Sequence, residues 1–367
     1  MRGLRLALVI AVASCDRGAS SGVRVDPPTP VPVAPLAAAP TTSRESAPVP
    51  SASVAPAPRI AARDRPPPVP SLLVAEPPRP IGLASVLSHA VDVGADAAWI
   101  ARLASAPMVD LRWNGGGTSV TLRATFEGGR RAVMKPAQRR SSSNHRGEIA
   151  AYHVDRLVGF GRTAVVVGRR VPRAVIEQAT MGDPERARVV AEVDGDVVEV
   201  AMIAWHDGPL VDDTPPRDAL AAGAAPPAEM LPRLAAWSDL HVFDYLIDNT
   251  DRWSGGNVLS RGKGGPLVFL DNASSFLPGR ARTGATMSRT LAPVCRFSRL
   301  TVARLRALEA GDPPLSAALG ASLAKDPLAP VLDEVTRVAI DARLKSLLAH
   351  IDDCRTKHGD EAVLLPD

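Results

Sequence analysis

The chain has 367 residues, 46% hydrophobic and 22% charged, a composition that excludes wholesale disorder and a polytopic membrane protein. Its formal charge of +4 comes from basic residues that are spread rather than clustered, so no nucleic-acid footprint is present. The average hides a split: all thirteen aromatic residues lie at or after Trp99, whereas residues 21–80 hold 17 of the 35 prolines and no Phe, Trp or Tyr. A core needs large apolar side chains, so the folded part is expected over residues 81–367, room for one large bilobal domain.

At the start, Arg2 and Arg5 flank a short apolar run, Leu6 to Val12, that ends in Val12-Ala13-Ser14-Cys15. The run is too short for a permanent bilayer span, and its charged start and small-residue end fit a secretory signal. It resembles the lipobox of bacterial lipoproteins, in which the cysteine becomes the lipidated first residue of the mature chain. The expected organisation is therefore a signal peptide over 1–15, a Pro/Ala-rich disordered tether over 16–80 and a domain over 81–367, held at the cell envelope through lipidated Cys15. Gly18-Ala19-Ser20-Ser21-Gly22 matches a nucleophile-elbow pattern, but the Pro/Ala-rich composition around it predicts neither the strand before it nor the helix after it that an elbow requires. If Cys15 takes lipid, Cys295 and Cys354 remain in an oxidising compartment, either bridged or as two buried thiols.

Val120 to Phe126 alternates as a half-buried strand, Glu127-Gly128-Gly129 reads as a tight turn, and Arg131 to Lys135 as the returning strand. Glu148 to Val158 has helical spacing, and Ala164 to Val167 and Val197 to Trp205 read as further strands. From Pro232 the period changes. Leu234, Trp237, Leu240, Phe243, Leu246 and Ile247 predict a buried helix leading into Asn249-Thr250-Asp251. Leu267 to Leu270 is a short apolar strand ending on Asp271, and Ile340 to Ile351 an amphipathic helix. The expected architecture is a strand-rich lobe, about 100–205, followed by a helical lobe, about 206–360.

Several residues sit where phosphoryl transfer would need them. The run Gly115-Gly116-Gly117-Thr118 precedes the Val120 strand, where backbone N–H groups could approach phosphates, though a plain surface turn is the alternative. Lys135 ends the next strand, where its ammonium could neutralise phosphate; a surface lysine is the bland alternative. Asp251, at the mouth of the helical lobe, could accept the proton of an acceptor hydroxyl, and Asp271 could hold a divalent ion. The seven histidines show no ligand spacing with cysteine or acid, which argues against a structural zinc site.

Asp244 to Asp251, Leu270-Asp271-Asn272, Cys295-Arg296-Phe297 and Arg343 to Cys354 resemble, in order, the secretory-pathway kinases of the four-jointed and Golgi casein kinase family. Gly116-Gly117-Thr118 to Lys135-Pro136, and Glu148 to Arg156, are similar to that family's small lobe. The looser Asn-x-Asp-Arg pattern is shared with type II phosphatidylinositol kinases. The resemblance implies an α+β, atypical protein-kinase-like bilobal fold, ATP with Mn2+ or Mg2+, and an exported protein acceptor, a sugar hydroxyl being the variant. It implies Asp251 as catalytic base, Asp271 as metal ligand, and Lys135, Glu148, Gly116, Gly117 and Asn257 around the nucleotide. It also implies a Cys295–Cys354 bridge.

Two departures stand out. The family's metal-contacting glutamate falls on Ser143, and Glu148, five residues on, is rotated by about 140° along a continuous helix and so is not expected to replace it. Asn257 follows Asp251 by six residues rather than the five of kinase catalytic loops. The alternatives are therefore a catalytically weak or dead nucleotide-binding lipoprotein and, further off, a sugar or lipid kinase.

Overall fold

A computed structural model of the chain describes residues 93–115, 119–139, 143–184, 186–253, 256–277 and 290–366, all within the compact unit Ala75–Asp367. The signal, lipobox and tether expectations fall outside the described residues, as do Gly116 and Gly117.

The strand-rich lobe opens with helix α1 (Val93–Ser105) and a five-stranded antiparallel sheet: β1 (Met108–Trp113), β2 (Leu122–Phe126), β3 (Arg131–Pro136), β4 (Val166–Pro172) and β5 (Val197–Ala204). Their spatial order is β1-β2-β3-β5-β4. Strand β2 turns Leu122, Ala124 and Phe126 inward, and β3 turns Ala132 and Met134, so the period-2 pattern builds one face of the core. Strand β1 corrects the sequence reading. The glycine run lies between β1 and β2, not before a first strand.

Helix α2 (His145–Val158) packs on β4 and β5 through a stripe that includes Ile149, Ala150 and Val154. Asn144 caps it by accepting the Arg146 amide at 3.1 Å. Gly159 ends it in the left-handed region at φ 83°, where a side chain would be strained, and its amide donates to Asp155 O.

In the helical lobe, α5 (Leu231–Ile247) is buried along most of its length and stops at Asp248, φ 54°, a left-handed residue that aspartate tolerates. The shorter α3 (Arg173–Ala179) and α4 (Arg186–Glu192) belong to the strand-rich lobe, between β4 and β5, whereas α6 (Arg299–Glu309), α7 (Leu315–Leu323) and α8 (Glu334–His358) follow α5. A small antiparallel sheet joins β6 (Leu210–Asp212), which precedes α5, to β7 (Leu259–Arg261) and β8 (Leu267–Val268), which lie between α5 and α6. The β7-β8 hairpin carries the chain from Asp251 back to Asp271.

The lobes are sewn together at the free edge of β4. Asp326 accepts the amides of Gly168 and Leu328, each at 2.8 Å, and Arg170 donates to Pro327 O at 2.9 Å. A Cβ at Gly168 would stand 2.3 Å from the Asp326 carboxylate, so only glycine admits this approach.

Cys295 and Cys354 are joined, with Cα atoms 5.4 Å apart. Closing a loop of 59 residues stabilises the folded chain by about 4 kcal/mol in the chain-entropy account. His350, one helical turn before Cys354, lies 3.8 Å from its sulfur, a neighbour that the histidine spacing did not suggest.

Candidate active site

The local structure that matters most is the join between the start of α2 and the turn after Asp271. Asn144 N–H donates to Ala273 O at 2.7 Å, and Ser275 Oγ donates to Gly147 O at 3.2 Å. A Cβ on Gly147 would meet Ser275 O at 2.6 Å, so the helix and the turn touch backbone to backbone. This contact sets the height of Glu148 over Asp271.

Strand β3 brings Lys135 to the same place. Its side chain is 7% exposed, and Nζ donates to Glu148 Oε1 at 2.6 Å and to Asp271 Oδ1 at 2.6 Å. Burial alone would pull the ammonium's pKa down, but the Glu148 and Asp271 carboxylates win and hold it well above the ordinary lysine range. Burial would likewise raise Asp271, and Lys135 holds it below the usual carboxylate value instead. Asp271 itself sits at φ 57°, beyond the end of β8 rather than on the strand as the sequence suggested.

These groups line a cavity of about 730 Å3 between the lobes. Val133, Ala164, Val166, Ile203, Ala204 and Phe269 supply apolar wall, while Lys135, Ser143, Glu148, Asp251, Asn257 and Asp271 supply the polar end. Of the seven site residues expected from the sequence, five converge on one cavity, together with Ser143: Lys135, Glu148, Asp251, Asn257 and Asp271. Gly116 and Gly117 lie outside the described residues. Ser143 corrects the rotation argument, because it precedes the cap of α2 and is not on the helix; its buried Oγ has no hydrogen-bond partner among the described residues.

Asp251 is exposed at the cavity rim on a loop pinned through its main chain. Its N–H donates to Asn249 Oδ1 at 3.1 Å, and its carbonyl accepts from Asn257 Nδ2 at 3.0 Å. Thus the extra residue before Asn257 does not prevent it from bracing the loop.

Arg252, which the sequence reading passed over, ties the parts together. Fully buried, it donates to Asp244 Oδ1 at 3.0 Å, Asn272 Oδ1 at 2.6 Å, Asn257 O at 3.1 Å and Leu270 O. One guanidinium fork therefore links α5, the Asp251 loop and the Asp271 segment. A compositional signal for Lys135 was also available: it is one of five lysines against 38 arginines and the first lysine in the chain. Where arginine is the default cation, a buried lysine marks a place that needs a compact point charge.

His206, in the link after β5, also lines the cavity. Burial first, then Arg261, lowers its pKa to about 4, while Asp207 opposes weakly. A folded-state value below the unfolded 6.5 adds stability that is present above pH 6.5 and lost as pH falls through about 4. His206→Gln is accordingly expected to lose less stability than the wild type between pH 7 and pH 4.5, measured by urea denaturation; an equal loss would show that His206 is not the group.

A strand-rich lobe stacked on a helical lobe, with a buried lysine–glutamate pair above and two aspartates below, is the architecture of a protein-kinase-like fold. Residues 223–363 match the family model described as Golgi casein kinase, C-terminal, Fam20. The chain is 29% identical over 306 residues to the glycosaminoglycan xylosylkinase of Homo sapiens, covering 68% of this chain and 73% of that one. It is 37% identical over 133 residues to the pseudokinase FAM20A of Mus musculus, covering 36% and 24%. A crystal structure of the Golgi casein kinase with Mn/ADP bound superposes with a TM-score of 0.60 at 20% identity, covering 75% of this chain and 79% of that one. Over these residues the chain is similar to the Fam20 Golgi casein kinases, and the relatives it resembles include both a kinase and a pseudokinase.

Proposed function

We propose that the protein is an exported phosphotransferase that moves the γ-phosphoryl group of ATP to a Ser or Thr hydroxyl of extracytoplasmic proteins, anchored through lipidated Cys15. The observation that carries the reading is Lys135, held between Glu148 and Asp271 in a cavity that Asp251 also lines. The apolar wall suits a nucleobase, and Lys135 suits phosphate. The mass of the mature protein tests attachment through Cys15; among the described residues no helix is long and apolar enough to cross a membrane.

The residues fit a divalent cation in part. Asp271, 43% exposed, offers a hard carboxylate, and Asn257 lines the same cavity, but Ser143 brings a neutral hydroxyl where the resemblance expects a second carboxylate. Mn2+ or Mg2+ would be held by Asp271 with Asn257, and when bound with ATP it would neutralise phosphate charge. Lys135 binds and orients the phosphates, Glu148 keeps Lys135 in place, and Asp251 accepts the proton from the acceptor hydroxyl.

Ser143 favours a second reading, a nucleotide-binding pseudokinase, and the match to a xylosylkinase supports a sugar hydroxyl as the alternative acceptor. Phosphate incorporation from labelled ATP with Mn2+, into the protein itself, a generic protein substrate and a xyloside, separates them. Metal-dependent incorporation into protein that is lost in Asp271→Ala is expected. No incorporation, with ATP still protecting against thermal unfolding, would move the conclusion to the pseudokinase.

A further inference from the structure

Outside the cavity, one buried charged network has no part in the chemistry yet leads straight to it. Asp96, in the first turn of α1, is 4% exposed. Its Oδ2 accepts the Tyr152 hydroxyl at 3.0 Å and Arg156 Nε–H at 2.8 Å. Arg156 then donates to the Asp155 carboxylate, to Thr163 Oγ1 at 3.3 Å and to Thr163 O at 3.1 Å, and Thr163 lines the cavity.

The spacing shows what this network holds. Glu148, Tyr152 and Arg156 are four residues apart in turn, so they form one stripe along α2. Helices α1 and α2 both pack on β4 and β5, and Asp96 grips the stripe one and two turns beyond Glu148. Stability alone gives a poor account of it. A desolvated ion pair returns little net free energy, and Asp96 Oδ1 is buried with no hydrogen-bond partner among the described residues. What such a pair does well is fix geometry.

We propose that Asp96 is a positioning residue for the active site: through Tyr152 and Arg156 it sets the rotation of α2 that keeps Glu148 seated on Lys135. The proposal rests on the reading that this cavity takes a nucleotide. Helix α1 is then a brace, and an event that pulls Asp96 away frees α2 to turn and leaves Lys135 to Asp271 alone.

The test is a cycle of the wild type, Asp96→Asn, Glu148→Gln and the double variant, each titrated with ATP and Mn2+. Asp96→Asn is expected to raise Kd about tenfold, the worth of a lost charge-assisted hydrogen bond, with Asp96→Glu regaining part. If Asp96 acts through Glu148, the double variant binds no more weakly than Glu148→Gln alone; additive losses overturn the proposal. A second measurement needs no nucleotide: acylation of Lys135 by an amine-reactive ester, read by mass spectrometry, is expected to be slow in the wild type and fast in Asp96→Asn. An unchanged rate overturns the proposal. A wild type that binds no ATP overturns the nucleotide reading and leaves the acylation result to decide the brace. Should Asp96→Asn not fold, Tyr152→Phe removes one of its two donors and goes through the same assays.

Discussion

Asp251→Asn is expected to bind ATP as the wild type does and to transfer phosphate about 10²- to 10⁴-fold more slowly. The substitution keeps the shape of the side chain, and the loop is held at the main chain of this residue, by Asn249 at the Asp251 N–H and by Asn257 at its carbonyl. The loop therefore keeps its path, while the carboxamide no longer takes a proton from the acceptor hydroxyl. Single-turnover rates with matched thermal shifts by ATP make the comparison. A rate within twofold of the wild type would remove Asp251 from the chemistry.

Arg252→Met is expected to lower the free energy of unfolding by about 3–5 kcal/mol at pH 8, because it strands Asp244 as an unpaired charge in the dry interior. Asp244 is fully buried, and burial raises its pKa to about 6 even against the pull of Arg252. Without the guanidinium that value rises further. A carboxyl raised above its unfolded value of 3.8 adds stability that is complete below that value and lost as pH rises through the folded one. The variant should accordingly be closer to wild type at pH 5 than at pH 8, and Asp244→Asn added to Arg252→Met should cost less than the two changes summed. Urea denaturation at both pH values measures this; a loss below about 1 kcal/mol at both would show that the fork is dispensable. Because Arg252 also holds Asn257 O, Leu270 O and Asn272, nucleotide affinity should fall with stability.

The two effects differ in kind. Asp251 is exposed and held by its backbone, so its replacement changes chemistry; Arg252 is enclosed and holds others, so its replacement changes structure.

Much was legible beforehand because the signals are local. Alternation in Leu122 to Phe126 and the three-to-four spacing from Leu234 to Ile247 give strand and helix without knowledge of their neighbours. Asp251 and Asp271 stand beside such elements, and each is a residue type whose chemistry is intrinsic. By contrast β1, with an exposed Val109 and an ion-paired Asp110 and Arg112, has too few buried apolar positions to announce itself. Arg252 looked like one arginine among 38, since its importance lies in its partners rather than its type.

By itself, then, the sequence determined the strongly periodic elements, such as the Leu122–Phe126 strand and the Leu231–Ile247 helix, the aromatic-rich stretch that supplies the core, and which side chains could carry a proton, a phosphate or a cation. Tertiary structure alone decided that Lys135 lies between Glu148 and an aspartate 136 residues away, that Ser143 stands off the helix, and that Asp96 reaches α2 across 56 residues. Hydrophobic periodicity is a property of neighbours in the chain, whereas these contacts arise only when two lobes and a flanking helix pack, and packing is settled by the shape and burial of all the elements together.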